Sequence, residues 1–153
     1  MDKLKQIVTS KPLWIVLLIF AYIVILGILK WQLKPDITTV YYLLGGIVGI
    51  YFMDAAEEAF SIHPSPFQSI IFVVLFGVVS FFVITSSGNM FACGLVLSLF
   101  FTLLLDQAQE WQERKNLDRW YSLVSSPPPI RTQQWIVLGT VLFLVLETVL
   151  FIR

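Results

Sequence analysis

The feature that most constrains this chain is a run of 47 residues, positions 59–105, that contains no Asp, Glu, Lys or Arg. A helix needs about 20 residues to cross the roughly 30 Å hydrocarbon core of a bilayer, so the run is long enough for two crossings and a turn. Only helices and closed barrels satisfy their own backbone hydrogen bonds in lipid. The run shows no alternation of polar and apolar residues, which favours helices. The sequence therefore predicts an integral membrane protein.

The composition of the whole chain agrees with this prediction. Of the 153 residues, 58% are hydrophobic and 13% are charged, whereas a soluble domain has about 45–50% apolar and about 25% charged residues. The formal net charge is zero, and neither a Gly-rich phosphate loop nor a basic stripe is present. We therefore expect the lipid bilayer, and no nucleic acid, as a partner.

Five apolar segments predict an all-α, polytopic membrane bundle. The first two segments form one hairpin, the next two form a second hairpin, and the fifth is a C-terminal helix. The short links at residues 33–36 and 86–89 force the helices of each hairpin to lie side by side. An even number of crossings, with the last segment re-entrant or flat, is the alternative. The expected spans are residues 12–31, 38–60, 66–85, 90–110 and 132–152.

Capping residues indicate where the helices begin. Thr38 or Thr39 is the expected N-cap of the second span, and Asn89 that of the fourth. Ser65 followed by Pro66 has the pattern of a helix start, because proline suits the first helical position. We therefore expect the third span to begin at Pro66.

Residues 111–124 alternate aromatic and charged side chains with a helical period, which predicts an amphipathic helix. We expect this helix to lie on the membrane surface on the cytoplasmic side. Its alternative position is a protruding extension of the fourth span. The Pro-rich residues 125–131 then predict a stiff, extended linker.

The distribution of basic residues predicts the orientation. The side that carries the N-terminus has seven basic residues and the opposite side has three, which favours a cytoplasmic N-terminus and a C-terminus on the other side. A plasma or inner membrane is the expected location. The seven are Lys3, Lys5, Lys11, Arg114, Lys115, Arg119 and Arg131, and the three are Lys30, Lys34 and Arg153.

A repeated pair of acids is the strongest candidate for chemistry. Asp54 and Glu58 end the second span, and Asp106 and Glu110 end the fourth, each pair at a spacing that places both acids on one helix face. The apolar stretch before Asp54 is only about 21 Å long and that before Asp106 about 24 Å. The first acid of each pair should therefore lie at the membrane boundary, where it must be paired, protonated or metal-bound. Basic residues that could pair with these acids are scarce, and the nearest candidates are Lys11, Arg114 and Lys115.

Three interpretations of these four acids remain open. Convergence on one point would give an oxygen-only site for a divalent cation such as Mg²⁺, Ca²⁺ or Mn²⁺, or a site for a shared proton. Addition of His63 would admit Zn²⁺ or iron, although His63 beside Pro64 is typical of a polar turn. The acids could otherwise be solvated at the helix ends or form a patch that docks a partner. No other cofactor is expected.

Two further features predict helix contacts. Gly45 and Gly49 form a small-xxx-small pair that lets another helix approach closely, which predicts packing against a partner protein or a second copy through the second span. Glu147 lies inside the fifth span, and Lys30 lies at a matching depth in the first. We expect these two residues to form an ion pair, with the alternatives that Glu147 reaches the outer surface or takes part in transport.

No complete catalytic motif accompanies these residues. The first hypothesis is a non-catalytic subunit, assembly factor or scaffold that docks a partner in or at the membrane. The second is a cation- or proton-coupled carrier that uses the paired carboxylates. The third is a membrane-embedded metal-dependent enzyme.

Overall fold

The protein is described by a computed structural model that covers residues 1–62 and 66–153. All regular structure in these residues is helical, as predicted. A π-helical turn, Val83–Ser87, extends the fourth helix, and a short 3-10 turn, Asp118–Tyr121, follows the fifth. The helices are α1 (Asp2–Thr9), α2 (Leu13–Trp31), α3 (Ile37–Phe60), α4 (Ile70–Phe82), α5 (Met90–Arg114) and α6 (Ile130–Ile152).

Five helices of the described chain are long and apolar enough to cross a membrane: α2, α3, α4 with its π-turn, α5 and α6. The pairs α2–α3 and α4–α5 are the two predicted hairpins, and α6 is the C-terminal helix. The prediction of a helical membrane bundle is confirmed. The short helix α1 precedes the first span and was not predicted.

Helix α5 occupies the centre of the bundle. Leu97, Phe100 and Leu103 are fully buried along it, and α3 makes the most extensive helix contact with it among the described elements. A Cβ atom on Gly45 would collide with the carbonyl oxygen of Phe91. The absence of side chains at the contact therefore lets the backbones of α3 and α5 approach closely.

Tyr42 joins three helices near the opposite end of the bundle from α1. Its ring stacks on Phe151 of α6 at a centroid distance of 5.0 Å and lies 5.4 Å from the ring of Trp31 of α2. Its hydroxyl donates a hydrogen bond of 3.1 Å to the carbonyl oxygen of Ile23. The buried phenol is thereby satisfied, as a buried polar group requires.

The second and fourth spans begin with side-chain caps. Asn89 accepts a hydrogen bond from the backbone of Ala92, so the predicted cap of α5 is confirmed. Asp36, not Thr38 or Thr39, caps α3, because its carboxylate accepts from a backbone N–H while Thr39 accepts from the backbone of Asp36. This reciprocal pair is a capping box in which threonine takes the place of glutamate.

The third span begins later than predicted. Helix α4 starts at Ile70, four residues after Pro66, and Ser69 caps it by accepting a hydrogen bond of 3.2 Å from the backbone of Phe72. The predicted cap, Ser65, lies outside the described residues. Ser69 serves as the cap because its side chain satisfies a backbone donor in the first turn of α4.

The predicted amphipathic helix over residues 111–124 is wrong beyond its first turn. Helix α5 ends at Arg114, and Lys115 adopts a left-handed conformation with φ of 60°. The chain then folds back so that Leu117, Trp120 and Tyr121 are buried against the end of the bundle. These apolar side chains are covered by protein and not by lipid, so a helix on the membrane surface is not needed to bury them.

Candidate functional site

The two acid-bearing helices, α3 and α5, lie side by side and run in the same direction. Gly49 of α3 faces the backbone of Leu95 and the side chain of Ser98 of α5, so a residue of α3 lies level with one about 46 to 49 positions later. Asp54 and Asp106 therefore end up at the same end of the bundle, close enough for their charges to interact. The two acid pairs that repeat in the sequence therefore lie at a similar depth in the bundle.

Asp54 has partners from the segment between α1 and α2. The Lys11 ammonium lies 3.1 Å from its carboxylate, and the Ser10 hydroxyl donates to the same oxygen at 3.1 Å. The side chain of Lys11 is only 7% exposed and that of Asp54 is 22% exposed. This ion pair is thus partly shielded from water and holds the start of α2 against the end of α3.

The other two outer acids also have separate partners. Glu58 lies 3.5 Å from the exposed ammonium of Lys3 in α1, a geometry that contributes little because water screens it. Glu110 is buried and accepts a hydrogen bond of 3.1 Å from the indole N–H of Trp120. Its second oxygen, Oε1, has no hydrogen-bond partner among the described residues.

The four acids do not form the predicted metal site. Within residues 1–62 and 66–153, no group of three or more His, Cys, Asp or Glu side chains is placed to hold a metal ion. Asp106 is half-buried and interacts electrostatically with Lys11 as well as with neighbouring acids. The other three acids each have a partner of their own: Lys11, between α1 and α2, for Asp54, Lys3 of α1 for Glu58, and Trp120, after α5, for Glu110. His63 lies outside the described residues.

Glu147 and Lys30 contact other groups than each other. Glu147 is fully buried and accepts a hydrogen bond from the hydroxyl of Ser80 in α4. Lys30 donates to the backbone carbonyl of Phe151 and lies 4.6 Å from the centre of its ring. The predicted ion pair is therefore wrong. Lys30 reaches the end of α6, where carbonyl groups lack helical partners, while Glu147 faces α4 one turn deeper.

A buried glutamine that sequence reasoning missed fixes the chain after α5. The Gln133 side chain accepts a hydrogen bond of 2.9 Å from the backbone of Leu117 and donates at 2.7 Å to Asp118 and at 3.0 Å to the carbonyl of Pro128. Both ends of residues 115–129 are thus tied to the first turn of α6. A polar amide at the start of an otherwise apolar span was the available signal.

The 3-10 turn completes this arrangement. Trp120 and Tyr121 of this turn are both buried and belong to the main hydrophobic core. Burial raises the pKa of the Tyr121 phenol above its usual value. We call residues 115–129, with this buried underside, the platform.

Gly45 and Gly49 are occupied by a helix of the same chain. A Cβ on Gly49 would lie 2.6 Å from the carbonyl oxygen of Leu95, so α5 fills the close-approach surface that the sequence offers. A partner protein at this position would have to displace α5.

The chain was also compared with known proteins. No protein-family model, no curated protein and no solved structure matches it.

Proposed function

We infer that the protein is a non-catalytic membrane subunit or assembly component that docks a partner protein on the platform. The observation that supports this function is the buried Gln133 amide, which holds residues 115–129 through three hydrogen bonds. Long connections without extended secondary structure are uncommon and often functional. A connection that is fixed so firmly at the end of a small bundle has the properties of a binding surface.

The exposed side of the platform defines the chemistry of its partner. Leu123 is 62% exposed and Val124 is 40% exposed, and the charged side chains of Lys115 and Arg119 are exposed on the same segment. An apolar centre with basic residues around it suits a partner with an apolar anchor and an acidic rim. This partner is a protein segment at the membrane surface.

The orientation of the molecule follows the distribution of basic residues. The end that carries α1 and the platform has seven basic residues, against three at the other end. We therefore assign this end to the cytoplasm, in a plasma or inner membrane. The expected partner is then a cytoplasmic protein or the cytoplasmic part of another membrane protein.

Site-specific photo-crosslinking tests this function in the membrane of the cell that naturally makes the protein. A photoreactive phenylalanine replaces Leu123 in the platform or, as a control, Leu33 at the opposite end, which is also exposed. We expect one discrete protein adduct from position 123 and none from position 33. The same adduct should weaken several-fold when Gln133→Ala releases the platform.

Two outcomes would contradict the proposal. The first is that both positions yield only lipid adducts. The second is that the adduct from position 123 is unchanged in Gln133→Ala although proteolysis shows that the platform has opened. Either result would remove the platform as the docking surface.

One observation favours a second function. Glu147 is fully buried within a predicted span, and its Oε2 has no hydrogen-bond partner among the described residues. Ionisable residues inside membrane bundles often belong to proton or ion pathways, so the carrier hypothesis rests on Glu147 and not on the paired acids. Proton flux into liposomes that contain the protein should then fall to background in Glu147→Gln. A flux that is absent in the wild type, or unchanged in the variant, would eliminate this function.

A further inference from the structure

A continuous groove runs along the side of the bundle between α5 and α6. Its first part, of about 410 Å³, lies beside the end of α5 and the start of α6. Its second part, of about 440 Å³, lies deeper, between α2, α5 and α6. Ala108 and Val141 line both parts, so the two cavities adjoin. Volumes of this size are typical of ligand pockets.

The two parts of the groove differ in polarity. Three amide side chains and an indole line the first part, whereas apolar side chains dominate the second, with Tyr22 and Thr148 at its far end. Tryptophan is enriched where protein meets lipid headgroups. The polar lining residues are Gln107, Trp111, Gln112 and Gln134. The groove therefore has one end at headgroup depth and continues towards the middle of the bilayer.

The length of the groove matches one leaflet of a membrane. From Gln134 to Thr148 the groove follows α6 for 14 residues, which is about 21 Å along the axis. Half of the hydrocarbon core is about 15 Å thick. An acyl chain with its headgroup therefore fits along the groove without crossing the bilayer.

Gln107 identifies the chemistry of the headgroup. Its side chain is only 2% exposed, and no donor among the described residues reaches its Oε1 atom. A buried acceptor without a donor is costly, and the cost disappears when a ligand supplies an N–H or O–H group. Gln107 also lines the first part of the groove, so the amide that carries this unpartnered acceptor borders the cavity at its headgroup end.

We propose that this groove binds one membrane lipid, with an acyl chain along α5 and α6 and a headgroup that donates a hydrogen bond to Gln107 Oε1. A lipid fits better than a partner helix because the lining of the groove changes from polar to apolar along its length, as a lipid does from headgroup to acyl chain. Phosphatidylethanolamine carries the required N–H donors. Phosphatidylcholine has a similar size and no such donor.

Native mass spectrometry of the purified protein tests the proposal with these two lipids. The protein is equilibrated with equal amounts of phosphatidylethanolamine and phosphatidylcholine that have identical acyl chains. One additional hydrogen bond of about 1.4 kcal/mol corresponds to a tenfold preference, so we expect retained phosphatidylethanolamine to exceed phosphatidylcholine by about tenfold. Equal retention of the two lipids by the wild type would overturn the proposal, because it would indicate non-selective surface lipid.

The variant Gln107→Leu removes the acceptor and keeps the size of the side chain. We expect it to lose the preference between the two lipids, whereas the control Gln109→Leu, on the same helix but lining neither part of the groove, should keep it. A preference that survives in Gln107→Leu would contradict the proposed role of Gln107, because another group would then distinguish the two headgroups.

A second pair of variants tests the groove itself. Ala108→Phe fills the junction of the two cavities and should reduce retention of both lipids several-fold, whereas Ala21→Phe on the exposed side of α2 should not. Unchanged retention in Ala108→Phe would overturn the proposal. This pair decides the question alone if Gln107→Leu does not fold.

Discussion

The hydroxyl of Ser80 donates a hydrogen bond to Oε1 of Glu147 in the buried contact between α4 and α6. Both side chains are fully buried. Because α4 and α6 are the least buried of the candidate spans, we expect this polar contact to contribute measurably to the stability of the pair, beside the contact of the Phe81 and Phe143 rings. In the same region, Tyr22 and Thr148 form a hydrogen bond of 2.6 Å that links α2 to α6.

Ser80→Ala is therefore expected to destabilise the bundle. Hydrogen bonds between membrane helices contribute about 0.6 kcal/mol on average and up to about 1.7 kcal/mol, and here the loss also leaves a buried acceptor unpaired. We expect a loss near the upper value, measured by unfolding in detergent. Ser86→Ala, an exposed serine in the same segment, should change little. Equal effects of the two substitutions would show that the buried hydrogen bond makes no net contribution to the free energy of unfolding.

The observed contacts of Lys30 and Glu147 predict the result of charge reversal. An ion pair between them would allow the double variant Lys30→Glu/Glu147→Lys to recover the stability that each single variant loses. Because Lys30 contacts Phe151 and Glu147 contacts Ser80, we expect no recovery. The measurement is a double-mutant cycle from detergent unfolding. Recovery by more than half of the summed loss would restore the ion pair as an explanation.

The close contact between α3 and α5 predicts a strong effect of one methyl group. In Gly45→Ala the new Cβ would collide with the backbone oxygen of Phe91, which cannot move as a side chain does. Overpacking of this kind costs about 1–3 kcal/mol, and we expect the unfolding midpoint to fall accordingly. Gly139→Ala is the matched control because nothing lies within 4 Å of its added Cβ.

The control substitution should change the free energy of unfolding in the opposite direction or not at all. Alanine in an open helical position is more favourable than glycine by up to about 1 kcal/mol, so Gly139→Ala should be neutral or slightly stabilising. If both glycine substitutions had the same effect, the α3–α5 contact would be looser than the structure indicates.

The bundle was predictable because it depends on the length and polarity of segments. Residues 59–105 contain no charged side chain, and this uncharged run is longer than a pair of helices in a soluble protein needs. The sequence therefore predicts membrane crossings regardless of how the helices pack. The cap at Asn89 was predictable for a similar reason, since it depends on residues within one turn. These features need no knowledge of which helices are neighbours.

The partners of the polar residues were not predictable in the same way. Glu147 could contact any side chain at its depth, and the sequence contains no information about whether α2 or α4 faces it. Trp120 shows the same limit, because its helical spacing with Trp111 also suits a surface helix. Only the three-dimensional positions of Gln133 and Glu110 show why the chain folds inward there.

The separation of the acids predicts an absence of specific cation binding. Asp54 is paired with Lys11, and Glu110 with Trp120, so a divalent ion would have to break existing contacts to gather its ligands. Mg²⁺, Ca²⁺ and Mn²⁺ should therefore change the melting temperature of the wild type and of Asp54→Asn/Asp106→Asn equally. A stabilisation by one cation that appears only in the wild type would contradict this expectation and return the acids to the list of metal ligands.

The sharpest prediction concerns the buried amide that holds the platform. Gln133→Ala removes three hydrogen bonds at once and leaves the backbone N–H of Leu117 and the carboxylate of Asp118 without their partner. Each lost hydrogen bond contributes about 0.5–1.5 kcal/mol, so the open form of the platform should become at least about tenfold more populated. The bundle itself should stay folded, because the helices keep their apolar contacts.

Limited trypsin digestion measures this opening directly. We expect the bond after Arg119 to be protected in the wild type, because Trp120, which follows it, is buried and cleavage would require the platform to lift. We expect the cleavage rate at Arg119 to rise by about tenfold or more in Gln133→Ala and to stay unchanged in Gln134→Ala, where the neighbouring amide is exposed. Rapid cleavage of the wild-type protein at this bond would mean that the platform is open without a partner. The docking surface would then have to form on binding instead of existing beforehand.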